Sequence, residues 1–491
     1  MDGNNNRNRQ QNNQNSSWFT AATVGAGLAV AAGGLYLWAN RSSNGNNQTR
    51  ETTQQSTESS SSTSSYLSGL MNRVNMSGIQ HEAHGIPEQS IPEIPHIINL
   101  DTLLHDIYLR YIALKRHDFS HHYRVFDTIF LKMHRTMQRV DRYYQKYSST
   151  VQVSGSHYDR LRIKKPDEFD IDIFIGLPLN IKSEATDASK SDIILESMAA
   201  GFVKLKMGTQ FQKLPYRDDW EVNKTLFSWR NDEYYLLRSK FSDWFKSLVY
   251  RALNEFECIG NLPMCYVDSN AYVIGTSEAG PAVTLKIKCL RTNFKMDVDL
   301  VPVLKFPEDR WPADNGYRKI PELYRDEIFM VVPKPIKGKF EANDVSKSWR
   351  MSLIYQERRI LHNTHNLRQT IRFLKKLRDT FDMYYIASYY IKTLFFWEVH
   401  AQRDPAFWRQ ANSKLFKIMV TRLHAALTRR HIPYFWNESY NLIEGAPDNV
   451  VAGHVAKLAK LLRILDNPLE YKKVAEFLLT PSEFADYSKF L

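Results

Sequence analysis

Residues 168–173 read Glu-Phe-Asp-Ile-Asp-Ile, acid and apolar side chains alternating with a period of two. Successive side chains of a strand point to opposite faces, so the segment is predicted to be a strand with Glu168, Asp170 and Asp172 on one face and Phe169, Ile171 and Ile173 on the other. Three like charges on one face repel, a cost tolerable at a solvated edge or around bound cations. Gly155-Ser156 precedes this strand, and Asp297-Val298-Asp299-Leu300 repeats the alternation far downstream. A Gly-Ser turn offers backbone N–H groups and a hydroxyl suited to phosphate, and clustered carboxylates suit hard cations. The combination predicts a two-metal site for nucleotide chemistry.

The chain is long enough, at 491 residues with 43% hydrophobic and 13% aromatic content, to bury a sizeable core in two or three domains. Its net charge of +12 favours polyanionic partners: nucleic acid, nucleotides or an acidic membrane surface. Cys258, Cys265 and Cys289 are the only cysteines and show no CxxC spacing, which argues against a disulfide framework or a cysteine-rich zinc site. The catalytic part is expected in the cytosol.

Residues 1–17 form a polar, Asn/Gln-rich leader, and residues 18–39 carry no charge, a length sufficient to span a bilayer once. Trp18 and Phe19 at one end, Tyr36, Trp38 and Arg41 at the other, resemble interfacial anchors, and Gly25, Ala29 and Gly33 give small-xxx-small spacing. The expectation is a single membrane anchor from Trp18 to Ala39, in an unidentified membrane. An Ala/Gly-rich tail that stays in solution is the alternative. Residues 40–90 are rich in Ser, Thr, Asn and Gln and are expected to form a disordered linker.

The folded part, from residue 91, reads as α+β in two lobes. Residues 101–147 are predicted to be a long spine helix broken at 117–120, with Phe126, Ile129, Phe130, Met133, Met137, Val140 and Tyr144 as its buried stripe. On its opposite face Lys132, Arg135, Arg139 and Arg142 form either a solvated surface or a nucleic-acid contact. Strand-like alternations at 170–175, 282–287 and 296–304, with a helical stretch at 234–256, predict a mixed sheet. From residue 349 the pattern is helical: 352–361, 367–381, 387–397, 404–430 and 450–465. An α/β lobe (91–345) followed by a helical lobe (346–491) leaves a cleft between them, where the carboxylates are expected.

Several pieces together narrow the class: Gly155-Ser156-His157-Tyr158, the run 166–170, Gly280-Pro281-Ala282-Val283-Thr284-Leu285, Val298-Asp299, Trp349-Arg350-Met351-Ser352, the run 388–393, and Tyr434-Phe435 before Asn441-Leu442-Ile443. Over residues 101–443 they resemble the cyclic GMP–AMP synthase (cGAS)-like receptors of the mab-21 group of nucleotidyltransferases. The resemblance implies a bilobal nucleotidyltransferase fold that joins ATP and GTP into a cyclic dinucleotide acting on a STING-type receptor in innate immunity. It implies Glu168, Asp170 and Asp299 as catalytic residues and ligands of two Mg2+ (or Mn2+) ions, with Asp299 nearest the attacking hydroxyl and Asp172 and Asp297 as neighbours. Gly155 and Ser156 would clasp the triphosphate, and Lys375, or Lys376 one register along, would contact phosphate. Ser388 and Tyr389 would bind the donor nucleotide, and Arg350, Ser352 and Glu357 would read the acceptor base.

The vertebrate enzyme carries a His-Cys-Cys-Cys zinc loop where this chain has Leu361-His362-Asn363-Thr364-His365-Asn366. No zinc site is expected, and the resemblance shifts toward zinc-free invertebrate receptors, with double-stranded RNA favoured over DNA as the activating ligand. A membrane-anchored, non-catalytic nucleotide-binding adaptor resembling mitochondrial dynamics proteins is the competing reading, together with a developmental family member. Such adaptors have lost the acid motif that this chain keeps.

Overall fold

The computed structural model describes residues 91–491 apart from 92, 149, 182–191, 313–315, 323–324, 327 and 363–365. The leader, the expected span of residues 18–39 and the linker lie outside the described residues. Among the described residues, no helix is long and apolar enough to cross a membrane.

An 11-stranded mixed sheet carries the site. Its strands are β1 (Thr150–Ser154), β2 (Glu168–Phe174), β3 (Ile193–Ser197), β4 (Phe202–Met207), β5 (Cys258–Ile259), β6 (Leu262–Val267), β7 (Asn270–Ala279), β8 (Ala282–Cys289), β9 (Lys295–Pro307), β10 (Ile328–Val332) and β11 (Trp349–Ser352). They run in the order β3-β4-β11-β10-β9-β8-β7-β6-β5, and β2 joins β9 while β1 pairs with β2. The β2–β9 pair is parallel and every other pairing antiparallel. Alternation on β2 does what its sequence dictates: Phe169, Ile171 and Ile173 are fully buried. They pack toward the spine helix, where the Phe126 ring stacks 4.5 Å from that of Phe169.

The spine region differs from its expected form. Helix α1 (Leu100–Ile107) passes into a π turn (Tyr108–Ile112), the chain extends at Ala113, and α2 runs unbroken over Arg116–Val140. The expected break at 117–120 is absent: Ser120 Oγ donates to the Arg116 carbonyl within the helix, and no Gly or Pro interrupts it. A second break falls at Asp141, which caps a separate helix (Arg142–Tyr147) by accepting from the Tyr144 N–H at 2.9 Å. Its other oxygen accepts from Arg251 and Trp244 of α4 (Arg238–Leu253). Two long-range donors at one carboxylate hold this residue extended.

The second lobe contains α5 (Ile354–Ile360), α6 (Leu367–Thr380), α7 (Ser388–Gln402), α8 (Asn412–Thr428), α9 (Asp448–Asp466) and α10 (Pro481–Tyr487). Their buried Leu, Ile and Phe side chains join the core beneath the sheet in one cluster. Two segments trade lobes. β11 lies beyond residue 345 yet pairs with β10 and β4, so the sheet lobe extends through Ser352. At the N-terminal end, Asp101 accepts from the Ser413 backbone and hydroxyl, and Tyr471 donates to the Ile97 carbonyl, which seats α1 on the helical lobe.

Candidate metal and nucleotide site

Parallel pairing sets Asp170 beside Asp299 and Glu168 beside Asp297. Carboxylate oxygens of Glu168, Asp170 and Asp299 all lie within 4.8 Å of one another, the one such group among the described residues able to hold a metal ion. Thr284, across from Asp299 on β8, donates its hydroxyl to Asp299 Oδ1 at 2.5 Å. Burial pushes the Asp299 carboxyl up to about 6; the Thr284 bond opposes this, and Glu168 and Asp297 add to it. Asp170 is held well above the usual carboxylate range by burial and then by Glu168 and Asp299. Crowded oxygen donors short of counter-charge fit Mg2+ or Mn2+, which take hard oxygen ligands.

Part of that counter-charge comes from the chain itself. Arg162 pairs through its two terminal nitrogens with Glu168 and Asp167, and its Nε donates to the Lys165 carbonyl at 3.0 Å. The other two acids stand apart from the triad. Asp172 is one pleat deeper and 5% exposed, and burial raises it to about 7 against a hydrogen bond from Ser154. Asp297 is exposed and faces Lys286 across the strands.

Gly155 opens a one-turn helix, α3 (Gly155–Tyr158), with φ +77°. A Cβ there would lie 1.7 Å from Asp170 Oδ2. Backbone therefore runs directly against a triad carboxylate, which no other residue type permits. Ser156 follows it and is half-buried.

A cavity of about 470 Å³ opens between the lobes, lined among others by Phe202, Lys334, Arg350, Ser352, Glu357, Tyr389, Tyr390, Tyr434 and Tyr440. The Arg350 guanidinium sits 5.3 Å from the Tyr434 ring centre and 5.4 Å from that of Phe202. The Ser352 hydroxyl is buried without a hydrogen-bond partner. Glu357 accepts from the Tyr389 hydroxyl (2.6 Å), Trp436 Nε1 (3.2 Å) and Lys392 Nζ (3.3 Å). Lys392 in turn reaches Asp159 at 2.8 Å, so one buried cation joins the loop after α3 to the cavity wall. Burial pushes the Lys334 ammonium down to about 7, helped by Arg350 and Lys337.

The cavity thus gathers Arg350, Ser352, Glu357 and Tyr389. Ser388 is not in its lining and accepts from Arg378 at 2.6 Å. Lys375 is buried and donates to the Leu161 carbonyl at 2.7 Å; burial lowers it to about 7, with Arg378 and Arg162 adding. Lys376 is fully buried against Glu483. Lys334 and Phe202 belong to no motif in the sequence, and Lys392 enters only within the run 388–393, where nothing local points to Asp159 and Glu357 as its partners.

Of the four basic residues read as a solvated face or a nucleic-acid contact, Lys132, Arg135 and Arg139 share one face of α2. Lys132 lies over the Phe256 ring at 4.5 Å, Arg139 pairs with Glu255 at 3.3 Å, and Arg142 belongs to the next helix. Arg135 is exposed. A different basic cluster forms where Arg160, Arg358 and Arg372 act on Arg368, whose charge is disfavoured by burial and by all three and favoured by Asp159. The Nε atoms of Arg368 and Arg372 are buried without hydrogen-bond partners. Nothing in the sequence juxtaposes these residues, which come from the loop after α3, from α5 and from α6. His362 of the cysteine-free loop feels Arg368, Arg358 and Arg359, and residues 363–365 of that loop fall outside the described residues.

Known proteins match this sequence over most of its length. A family model described as the Mab-21 protein nucleotidyltransferase domain matches residues 157–363, and one described as the Mab-21 protein HhH/H2TH-like domain matches residues 366–460. A cyclic GMP-AMP synthase-like receptor of Ctenocephalides felis is 31% identical over 400 residues, covering 79% of this chain and 90% of that protein. One of Aethina tumida is 32% identical over 344 residues, covering 69% of this chain and 81% of that protein. Cyclic GMP-AMP synthase-like receptor 1 of Drosophila melanogaster is 26% identical over 376 residues, covering 72% of this chain and 88% of that protein.

Proposed function

The chain belongs to the Mab-21 nucleotidyltransferase family, together with the cyclic GMP-AMP synthase-like receptors, and on that premise we propose that it joins ATP and GTP into a cyclic dinucleotide second messenger. The observation that carries this reading is the triad of Glu168, Asp170 and Asp299, whose oxygens converge within 4.8 Å beside the Gly155 backbone. These three residues would hold two Mg2+ or Mn2+ ions, which when bound lower the pKa of an attacking ribose hydroxyl and neutralise the leaving pyrophosphate. The hydrogen bond from Thr284 to Asp299 Oδ1 orients this carboxylate and leaves lone pairs on both of its oxygens, so Asp299 could hold metal and take the proton of that hydroxyl. Gly155 and Ser156 would hold the triphosphate. Tyr389, Tyr434 and Phe202 offer ring faces to the bases, and Arg350 and Ser352 offer polar edges.

The arginines around Arg368 support a phosphate-bearing activator and suit the A-form backbone of double-stranded RNA, which is read by shape and phosphate contact. The uncharged stretch of residues 18–39 supports a membrane anchor with the catalytic lobes in the cytosol, and the product would act on a STING-type receptor.

Incubating the full chain with ATP, GTP and Mg2+ or Mn2+, across a panel of RNA and DNA duplexes, tests the reading by mass spectrometry of the product. A cyclic dinucleotide that is lost in Asp299→Asn is the expected result. Equal product from that variant refutes the assignment, and nucleotide binding without turnover across the whole panel makes the chain an adaptor.

A further inference from the structure

The loop from Asp159 to Asp167 lies between the Gly155 turn and β2, and the helical lobe holds it at several points. Lys164 donates its backbone N–H to the Ile112 carbonyl at 3.0 Å and places its ammonium 3.2 Å from Glu483 Oε1. The Leu161 carbonyl accepts from Lys375. Between these pins, Arg162 lies across Glu168 and Asp167. Arg160 and Lys164 both have positive φ, +58° and +67°, a conformation that side chains other than glycine keep only when their surroundings enforce it.

Glu483 is the enforcing group farthest along the chain. It lies on α10, beyond residue 460, where the matched family regions end. It pairs with the fully buried Lys376, closes a capping box with Thr480, and still reaches Lys164. Burial opposes its ionisation, yet Lys376, the Thr480 N–H and Lys164 hold its carboxyl down at about 2. The helix itself is fixed: Tyr487 packs edge-on against Tyr111, and Arg110 lies over Phe490 at 4.7 Å.

We propose that Glu483 is a positioning residue that pins Lys164 and thereby keeps Arg162 on Glu168, so that the C-terminal helix sets how readily a divalent cation enters the acid site. A guanidinium on Glu168 competes with a cation for the same carboxylate and repels it once bound. The inference rests on the reading of Glu168, Asp170 and Asp299 as metal ligands.

The test is Mn2+ binding to the full chain without nucleotide, followed by electron paramagnetic resonance, with amide hydrogen exchange read over residues 159–167. Lys164→Gln removes the loop's end of the pin and leaves the Lys376–Glu483 pair intact. Because the Lys164 side chain is already 42% exposed, this variant's melting temperature should stay at the parent's. Lys164→Gln and Glu483→Gln should each bind Mn2+ about two- to fivefold more tightly and exchange faster over the loop. Arg162→Gln, which removes the competitor itself, should tighten binding by about tenfold. Parent-like Mn2+ affinity in both Lys164→Gln and Glu483→Gln overturns the proposal and leaves Glu483 as an anchor for the tail. A parent that binds no Mn2+, or binds it as well after Asp170→Asn, overturns instead the metal reading beneath it.

Discussion

Asp299→Asn should abolish activity and, in the absence of metal, make the protein more stable. The Asp299 carboxyl rises from its usual 3.8 to about 6 on folding, because it is moved out of water next to Glu168 and Asp297. That is roughly two pH units, or about 3 kcal/mol at about 1.36 kcal/mol per unit, as an upper value for the cost of ionising it in the folded state. The folded state binds the proton more tightly, so stability falls as pH rises from about 4 through about 6, and the full penalty applies above that window. Asparagine escapes the penalty and keeps an Oδ1 to accept from Thr284. At pH 7.5 in EDTA, calorimetry should therefore show the variant melting about 1–4 °C higher, given an unfolding entropy of about 2.1 cal/mol/K per residue. The gain should vanish near pH 4. With millimolar Mg2+ or Mn2+ the order should reverse, since only the parent keeps the full ligand set and gains binding free energy. A variant that melts lower than its parent in EDTA at every pH, or a parent that gains nothing from metal, refutes the account of a site strained for its cation.

Gly155→Ala should lose nearly all turnover and destabilise the fold by about 2 kcal/mol or more in urea denaturation, because its Cβ meets Asp170 at 1.7 Å and φ is +77°. Lys392→Met leaves Asp159 and Glu357 buried without their shared cation, and should cost about 3–5 kcal/mol by the same assay. Arg368→Ala combined with Arg372→Ala should weaken double-stranded RNA binding about equally for all sequences. It should also lower the slope of log affinity against log salt by about 2, as measured by fluorescence anisotropy.

How much of this was legible depended on the range of the interaction. The alternation of residues 168–173 and the stripe of Phe126, Ile129, Phe130, Met133 and Met137 were readable because a strand repeats every two residues and a helix every 3.6 or so. Arg350, Ser352, Glu357 and Tyr389 came from family resemblance, and the cavity brings all four together. The Asp141 break was invisible locally, since Arg251 and Trp244 impose it from a helix far along the chain. The same holds for β11, whose Trp349 and Arg350 look like the start of a helical region until β4 and β10 claim them. It holds again for the arginines around Arg368, scattered in sequence and adjacent only once two lobes close on the loop after α3.

By itself, then, the sequence determined that one strand face would carry carboxylates, that a glycine would stand before it, and that a sheet lobe and a helical lobe would follow. Those are properties of backbone geometry and side-chain period, complete within a few residues. Only the tertiary structure decided that β9 runs parallel to β2 in the register that sets Asp299 beside Asp170, that Lys392 ties Asp159 to Glu357, and that Arg162 rests on Glu168 under a pin from Glu483. Each of these joins groups distant in the chain, and burial of apolar faces decides which of them meet. Charge then settles on whichever partners that packing supplies.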